Sequence, residues 1–336
     1  MTVRGRAAGW ALCWSRPTFG LRDDLILLVA VSEGRSWTRR TSSCDRSGVR
    51  QPGECKVGAV SSLVPRSPVT VRGLQERAAR ALPAEHVEHV GGWWLRHSAS
   101  PSWWIATVLP HGPSGQDELA PRISVAERFY AGFAMATRFQ ISPGACPADL
   151  DATLGERGYR WEGSMSLQVA LAADVQAWAC PDGPDVRLDQ TPTDAWLKVW
   201  HTVAGHGGDP QVERDLLARV SQPSAYASAV QGDEVLAVGR AVVDAGWAGV
   251  FGMATLPQTR GRGAARSVLA ALAGWASAQA ADGMYLQVQS NNDPACRLYS
   301  RTGFTEMCRY HYRTQVPPPV ARQPPGSRSR QGVSLR

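Results

Sequence analysis

The stretch that decides the fold is Met253-Ala-Thr-Leu-Pro-Gln-Thr-Arg-Gly-Arg-Gly-Ala-Ala-Arg-Ser-Val-Leu-Ala-Ala-Leu272. It reads as the end of a strand at Thr255, a ladder stopped by Pro257, and a glycine-rich turn, Arg260-Gly261-Arg262-Gly263-Ala264-Ala265, leading into a helix with apolar residues at 268, 269 and 272. Glycine and alanine at 261, 263, 264 and 265 remove side-chain bulk, so successive backbone N–H groups and the positive end of the helix can face an anion. The sequence therefore predicts a phosphate cradle. A dinucleotide-binding βαβ unit does not fit, because the strands upstream are joined by hairpins, and no Walker lysine follows the glycines.

Outward from the cradle the pattern stays α/β. Upstream, helices are expected over 193–203 and 212–220, then strands over 225–231, 235–244 and 247–255, with turns at Gly232-Asp233 and Ala245-Gly246. Downstream, the order is a helix over 264–280, a strand over 284–290, a helix over 294–301 and a strand over 306–313. The first half repeats this logic: a helix over 74–82, strands over 93–96 and 103–109, a helix over 124–131, a strand over 138–142, a helix over 148–156 closed by Gly158, and a strand over 164–171. The segments 138–169 and 285–313 share strand, Pro-Ala, helix, Gly-aromatic and strand in one order, which indicates a duplication. The paired tryptophans at 93–94 and 103–104 read as buried packing.

Two motifs together resemble the GCN5-related N-acetyltransferases. That family's acetyl-CoA motif, Arg/Gln-x-x-Gly-x-Gly/Ala, is matched by Arg260, Gly263 and Ala265. Its second motif, Asn-x-x-Ala-x-x-Leu-Tyr-x-x-x-Gly-Phe, is matched by Asn292, Ala295, Leu298, Tyr299, Gly303 and Phe304. The resemblance implies a mixed, mostly antiparallel sheet flanked by helices, duplicated here. It implies acetyl-CoA as cosubstrate, with no metal, held by the amides of 261–265, by Arg260 and Arg262, by main-chain pairing along Met253, Ala254 and Thr255, and near Asn292 and Tyr299. It implies direct attack by an amine, small-molecule or protein, an oxyanion donor at the N–H of Met253 or Ala254, and Tyr299 as the acid for the departing thiolate.

The family's usual glutamate base has no counterpart on the strand before the cradle, which reads Trp-Ala-Gly-Val-Phe-Gly-Met-Ala-Thr. His206 and Asp209, in the loop between two helices, are the candidates for that role, with His201 behind them. The missing carboxylate also motivates a different reading, a non-catalytic acetyl-CoA sensor. The first half lacks both the cradle and the tyrosine, so it is expected to keep the fold without acetyl-CoA and to roof the acceptor site. One active and one degenerate half is similar to the arrangement of mycothiol synthases, and an activity of that kind is one option for the acceptor.

Composition sets the outer bounds. The 336 residues carry a formal charge of +7, distributed as +6 over 1–70, −4 over 71–312 and +5 over 313–336, so the body is mildly acidic and a nucleic-acid partner is not expected. Seven cysteines without a Cys-x-x-Cys pair indicate neither a disulfide framework nor zinc, and point to a reducing cytoplasm. The longest apolar run, Leu25 to Val31, is too short to span a bilayer. The expected organisation is an extension over 1–70, disordered or lying upstream of the true start, a degenerate acetyltransferase-like unit over 71–172, an acetyl-CoA-binding unit over 186–315 and a basic, Pro-rich tail over 316–336. The oligomeric state stays open.

Overall fold

The computed structural model describes residues 68–99, 104–112, 115–204 and 209–316. Of the extension expected over 1–70, only the last three residues are described, and they already belong to the first helix; the tail beyond Val316 and His206 lie outside the described residues.

The chain runs α1 (Pro68–Ala81), β1 (His86–Val90), β2 (Trp93–His97), β3 (Val108–Leu109), α2 (Gln116–Gly132), β4 (Arg138–Ile141), α3 (Leu150–Glu156), β5 (Arg160–Leu171), α4 (Ala172–Ala177) and β6 (Asp185–Asp189). It continues with α5 (Asp194–Ala204), α6 (Pro210–Ala218), β7 (Ser224–Gln231), β8 (Glu234–Asp244), β9 (Trp247–Thr255), α7 (Ala264–Ala278), β10 (Gly283–Gln289), α8 (Asp293–Arg301) and β11 (Thr305–Thr314). Among the described residues, eleven strands form one sheet in the order β1-β2-β3-β4-β11-β5-β10-β9-β8-β7-β6. Only β3·β4 and β9·β10 are parallel, so the sheet is mixed and mostly antiparallel.

That order is nearly a palindrome. β1-β2-β3-α2-β4-α3-β5 and β7-β8-β9-α7-β10-α8-β11 repeat the same succession, two antiparallel steps followed by one parallel step. The last strand of each succession crosses to the other: β11 pairs with β4, β5 pairs with β10, and β5 and β11 pair with each other in the middle.

Several sequence expectations needed correction. The helix expected from residue 124 starts at Gln116, with Pro121 inside it. Proline removes one N–H and rarely sits inside a helix, but close to the N-terminus the loss is one bond. The strand expected over 103–109 is paired only at Val108–Leu109. The three elements not anticipated, β1, α4 and β6, are short, and β1 and β6 are sheet edges with mostly exposed residues and hence no alternating apolar signal.

Around β7 to β10 the side chains alternate between two faces. Ala225, Ala227, Val250, Met284, Leu286 and Val288 pack under α4, α7 and α8. On the opposite face Val242, Phe251 and Tyr285 pack with α1 and Leu216 of α6, while Tyr226, Val238 and Ala254 pack with Trp196, Leu197 and Trp200 of α5. The C-terminus of α1 is received by two buried arginines: Arg240 Nη2 donates to Ala81 O and Arg96 Nη2 to Leu82 O, both at 2.9 Å. Cations there answer the negative end of the helix. Burial lowers the pKa of both guanidinium groups, Arg96 to about 10. Among the described residues, no helix is long and apolar enough to cross a membrane, and no group of three or more His, Cys, Asp or Glu is placed to hold a metal ion.

Candidate active site

Two departures from regular sheet geometry build the site. β8 and β9 pair without interruption from Asp244↔Trp247 to Arg240↔Phe251, then resume at Val238↔Ala254, so β9 carries one extra residue. The bulge falls on Gly252, whose φ of +62° favours glycine, and Val250 and Met253, three apart, consequently face the same side. Trp196 locks this region from above, donating from Nε1 to Gly239 O at 3.1 Å. β9 and β10 pair only from Trp247↔Gly283 to Val250↔Leu286, although β9 runs on to Thr255 and β10 to Gln289. Past Val250 the two strands part, leaving main-chain groups of β9 without a ladder partner on that side.

Beyond the fork, a 3₁₀ turn over Pro257–Thr259 leads to the glycine turn. Gly261 and Gly263 both have left-handed φ, +79° and +82°, and Gly263 is the N-cap of α7. Among the described residues no side chain caps the helix, and its first N–H groups have no partner within the helix itself. They open on a cleft of about 550 Å³ between α7 and α8. Met253, Thr255, Arg260, Gly261, Gly263, Ala264, Ala265 and Tyr299 all line it. So do Arg266, Arg297 and Arg301, and no carboxylate is present among the described residues that line it. Four arginines and the positive end of a helix on one apolar-floored cleft make a strong anion site.

The remaining expected residues lie elsewhere. Ala254 is buried on the opposite face, against α5. Arg262 is exposed and not part of the cleft wall. Asn292 caps α8 by accepting from Ala295 N at 3.2 Å and is not in the wall either. Tyr299 is 3% exposed, and burial drives its phenol well above the ordinary range, so it keeps its proton at neutral pH. Of the base candidates, Asp209 spends its carboxylate capping α6, Oδ1 accepting from Gln211 N at 2.9 Å, and His201 sits half-buried on α5 against Trp200.

Sequence reading passed over two features. Trp178, just after α4, is 47% exposed at the mouth of the cleft, with the Arg266 guanidinium 5.6 Å from its ring centroid and bonded to the carbonyls of Trp178 and Ala179. Glu213 on α6 is only 6% exposed. Its place in the sequence carried a signal, since Glu213, Leu216, Leu217 and Val220 follow helical i, i+3, i+4, i+7 spacing, which puts a carboxylate on the apolar stripe. At the corresponding place in the first half, α2 opens with Asp117 and Glu118 in its first turn, carboxylates that answer the positive end of the helix.

The family described as "Probable histone acetyltransferase Rv0428c C-terminal" matches residues 69–313. The chain belongs to this acetyltransferase family. It is 24% identical over 250 residues to the "Uncharacterized N-acetyltransferase YobR" of Bacillus subtilis, covering 72% of this chain and 98% of that one. In fold it is similar to a GCN5-related N-acetyltransferase from Kribbella flavida, with a TM-score of 0.58, 15% identity, and coverage of 73% of this chain and 95% of that one. It is also similar to a tandem GNAT protein from the clavulanic acid biosynthesis pathway, with a TM-score of 0.53, 11% identity, and coverage of 75% and 96%. The protein is thus a GNAT-type acyltransferase, of a class that uses acetyl-CoA and acts on amines.

Proposed function

We propose that this acetyltransferase transfers the acetyl group of acetyl-CoA to a primary amine at the fork between β9 and β10. The carrying observation is the uncapped N-terminus of α7, opening with four arginines and no carboxylate onto one cleft. On this reading the N–H groups of 263–265 and Arg260 hold the pyrophosphate, and Arg266, Arg297 and Arg301 supply charge for the outer phosphate. Trp178 offers the adenine a flat face at the mouth. The unladdered edge of β9 past Val250 pairs with the pantetheine amides, which brings the thioester to the bulge.

There the N–H of Met253, freed from the regular ladder, stabilises negative charge on the carbonyl oxygen as the amine attacks. Tyr299, still protonated at neutral pH, donates to the sulfur as the C–S bond breaks. His206 and Arg262 are assigned no part in these steps. The first half, with carboxylates at the start of α2, is a scaffold and acceptor-side wall in this reading, not a second acetyl-CoA site. The test is titration calorimetry of the full chain with acetyl-CoA, together with release of free CoA thiol in the presence of primary amines. One binding event per chain and amine-dependent thiol release are expected; absence of binding would overturn the assignment of the cleft.

A further inference from the structure

A second cavity, of about 510 Å³, lies at the far end of α7 from the glycine turn, where Trp275 and Gln279 form part of its wall, and it shares no lining residue with the cleft. Its size is that of an ordinary ligand pocket. It opens where the sheet loses its outermost strand. β6 pairs with β7 as far as Asp189↔Tyr226, and the next rung of that ladder would join Thr191 to Ser224. The chain instead bends at Gln190 and Thr191 and leaves for α5. Successive residues of a strand turn their N–H and C=O to opposite neighbours. Pro223 O accepts from Val243 N of β8 at 2.9 Å, so the N–H and C=O of Ser224 face the outer edge, where no strand among the described residues meets them.

The lining adds one charge to this open rung. Among the described residues around the cavity Arg214 of α6 is the only ionised side chain, and none is a carboxylate. Its Nη2 bonds the exposed Asp194 at 2.6 Å, which leaves Nε and Nη1 for a further partner. Gln222, in the same wall, holds a buried Oε1 with no hydrogen-bond partner, an acceptor that an N–H would satisfy. Apolar surface flanks the edge from both faces of the sheet, Leu217 and Val220 on the α6 side and Trp275 on the α7 side. Leu217 also lines a small cavity, about 30 Å³, that Trp196 and Gly252 share on the α5 side of β9.

We propose that this cavity captures the free C-terminal end of a short, extended peptide whose last residues are apolar. The peptide continues the line that β6 abandons. One of its amide units meets the N–H and C=O of Ser224, and its carboxylate takes the remaining donors of Arg214. Successive side chains of an extended chain point to opposite faces, so one goes to Trp275 and the next to Leu217 and Val220. The proposal stands on the sheet edge and its lining alone and does not depend on the reading of the cleft.

The test is titration calorimetry of the full chain with N-acetyl-Ala-Leu-Leu, as the free acid and as the C-terminal amide; the blocked N-terminus leaves the peptide no amine to acetylate. The free acid should bind once per chain and about tenfold more tightly than the amide, the scale of one charge-assisted hydrogen bond. Saturating acetyl-CoA should leave that affinity unchanged, since the two sites share no wall. Arg214→Gln should bring the acid down to the affinity of the amide, and its lost ion pair with Asp194 is exposed and contributes little to stability. N-methylation of each peptide amide in turn should cost about tenfold at one position, where the methyl group replaces the N–H donated to Ser224 O. Ala218→Trp, at the exposed end of α6, should fill the cavity and abolish binding of the peptide while acetyl-CoA still binds. No binding of the free acid at about 1 mM, equal affinity of acid and amide, an unchanged preference in Arg214→Gln, indifference to every N-methylation, or displacement of the peptide by acetyl-CoA would each overturn the proposal.

Discussion

Placing a carboxylate in the glycine turn tests the cradle directly, and Gly261 is the position where the fold tolerates it. The residue is exposed, its φ is +79°, and a Cβ built there meets no atom within 4 Å. Gly263 is less suitable, because a Cβ there would come 3.1 Å from Cys180 Sγ. Asp and Asn tolerate left-handed backbone better than other side chains, so Gly261→Asp and Gly261→Asn share the same steric and conformational cost and differ only in charge. That common cost is about 1 kcal/mol, a fall in melting temperature of about 2–4 °C. The charge difference is felt by the bound phosphates. At a solvent-exposed mouth, with an effective dielectric constant of about 60 and a separation of about 5 Å, each pair of like charges costs about 1 kcal/mol. Two pyrophosphate charges make that about 2 kcal/mol, or about 30-fold in Kd. Titration calorimetry with acetyl-CoA should show Gly261→Asp binding about 30-fold more weakly than Gly261→Asn at low salt, and the gap should narrow as sodium chloride rises to 0.5 M. Affinities within threefold of one another at low salt would refute the placement of phosphate at 261–265.

Three further outcomes follow from the same geometry. Tyr299→Phe should lower kcat for thiol release by about 10- to 100-fold with acetyl-CoA affinity unchanged by calorimetry, and because burial holds the phenol protonated, the loss should be the same at pH 6 and pH 8. Trp178→Ala should weaken acetyl-CoA about tenfold, the scale of one lost base–aromatic stack, while leaving KM for S-acetylpantetheine, which lacks the nucleotide, within twofold. Away from the site, the hydrogen bond from buried His111 and the Arg72 ion pair hold the Glu76 carboxyl down at about 2, against an ordinary 4.5. A carboxyl depressed on folding contributes stability that is complete above its unfolded pKa and is lost as pH falls through 4.5 toward 2, at most about 3 kcal/mol here. Urea unfolding at pH 7 and pH 3 should therefore show a smaller acid loss for Glu76→Gln than for wild type.

The parts of the fold legible in the sequence are those set by local rules. β9 occupies the expected 247–255, and α7 begins at the expected Ala264, because Pro257 ends a ladder and Gly263 starts a helix without reference to anything distant. The cleft wall was legible for the same reason, since Arg260, Gly261, Gly263, Ala264, Ala265 and Tyr299 belong to two contiguous motifs, although Arg262 of the first motif lies outside it. What depends on distant segments was not. Glu213 looks like one of several charges on a short helix until Trp104, Trp196 and Phe251 close around it. Asp209, a candidate base in the sequence, is a helix cap in the structure, a role that Asp-Pro before a helical stretch also announces. Trp178 lies in a short connection with no period, and only the approach of Arg266 from α7 places it at the cleft.

Strand exchange bears on the site more directly than the duplication does. A fork between β9 and β10 stays open only if β10 is held from its other edge, since a strand paired on neither side past Leu286 would have no reason to keep its course. That edge is held by β5, which pairs with all seven residues of β10 from Gly283↔Leu171 to Gln289↔Met165, and thus through the part that β9 has already left. β5 in turn is fixed by β11, which pairs with it from Thr305↔Val169 to Thr314↔Arg160. The strand that keeps the fork open therefore comes from the half without a cradle, and the strand that fixes it follows the helix carrying Tyr299. Neither half can form the fork alone: the first half supplies the rigid edge against which the other half is split, and, through Trp104 and Ile105, one wall of the small cavity that Trp196, Phe251 and Gly252 also line.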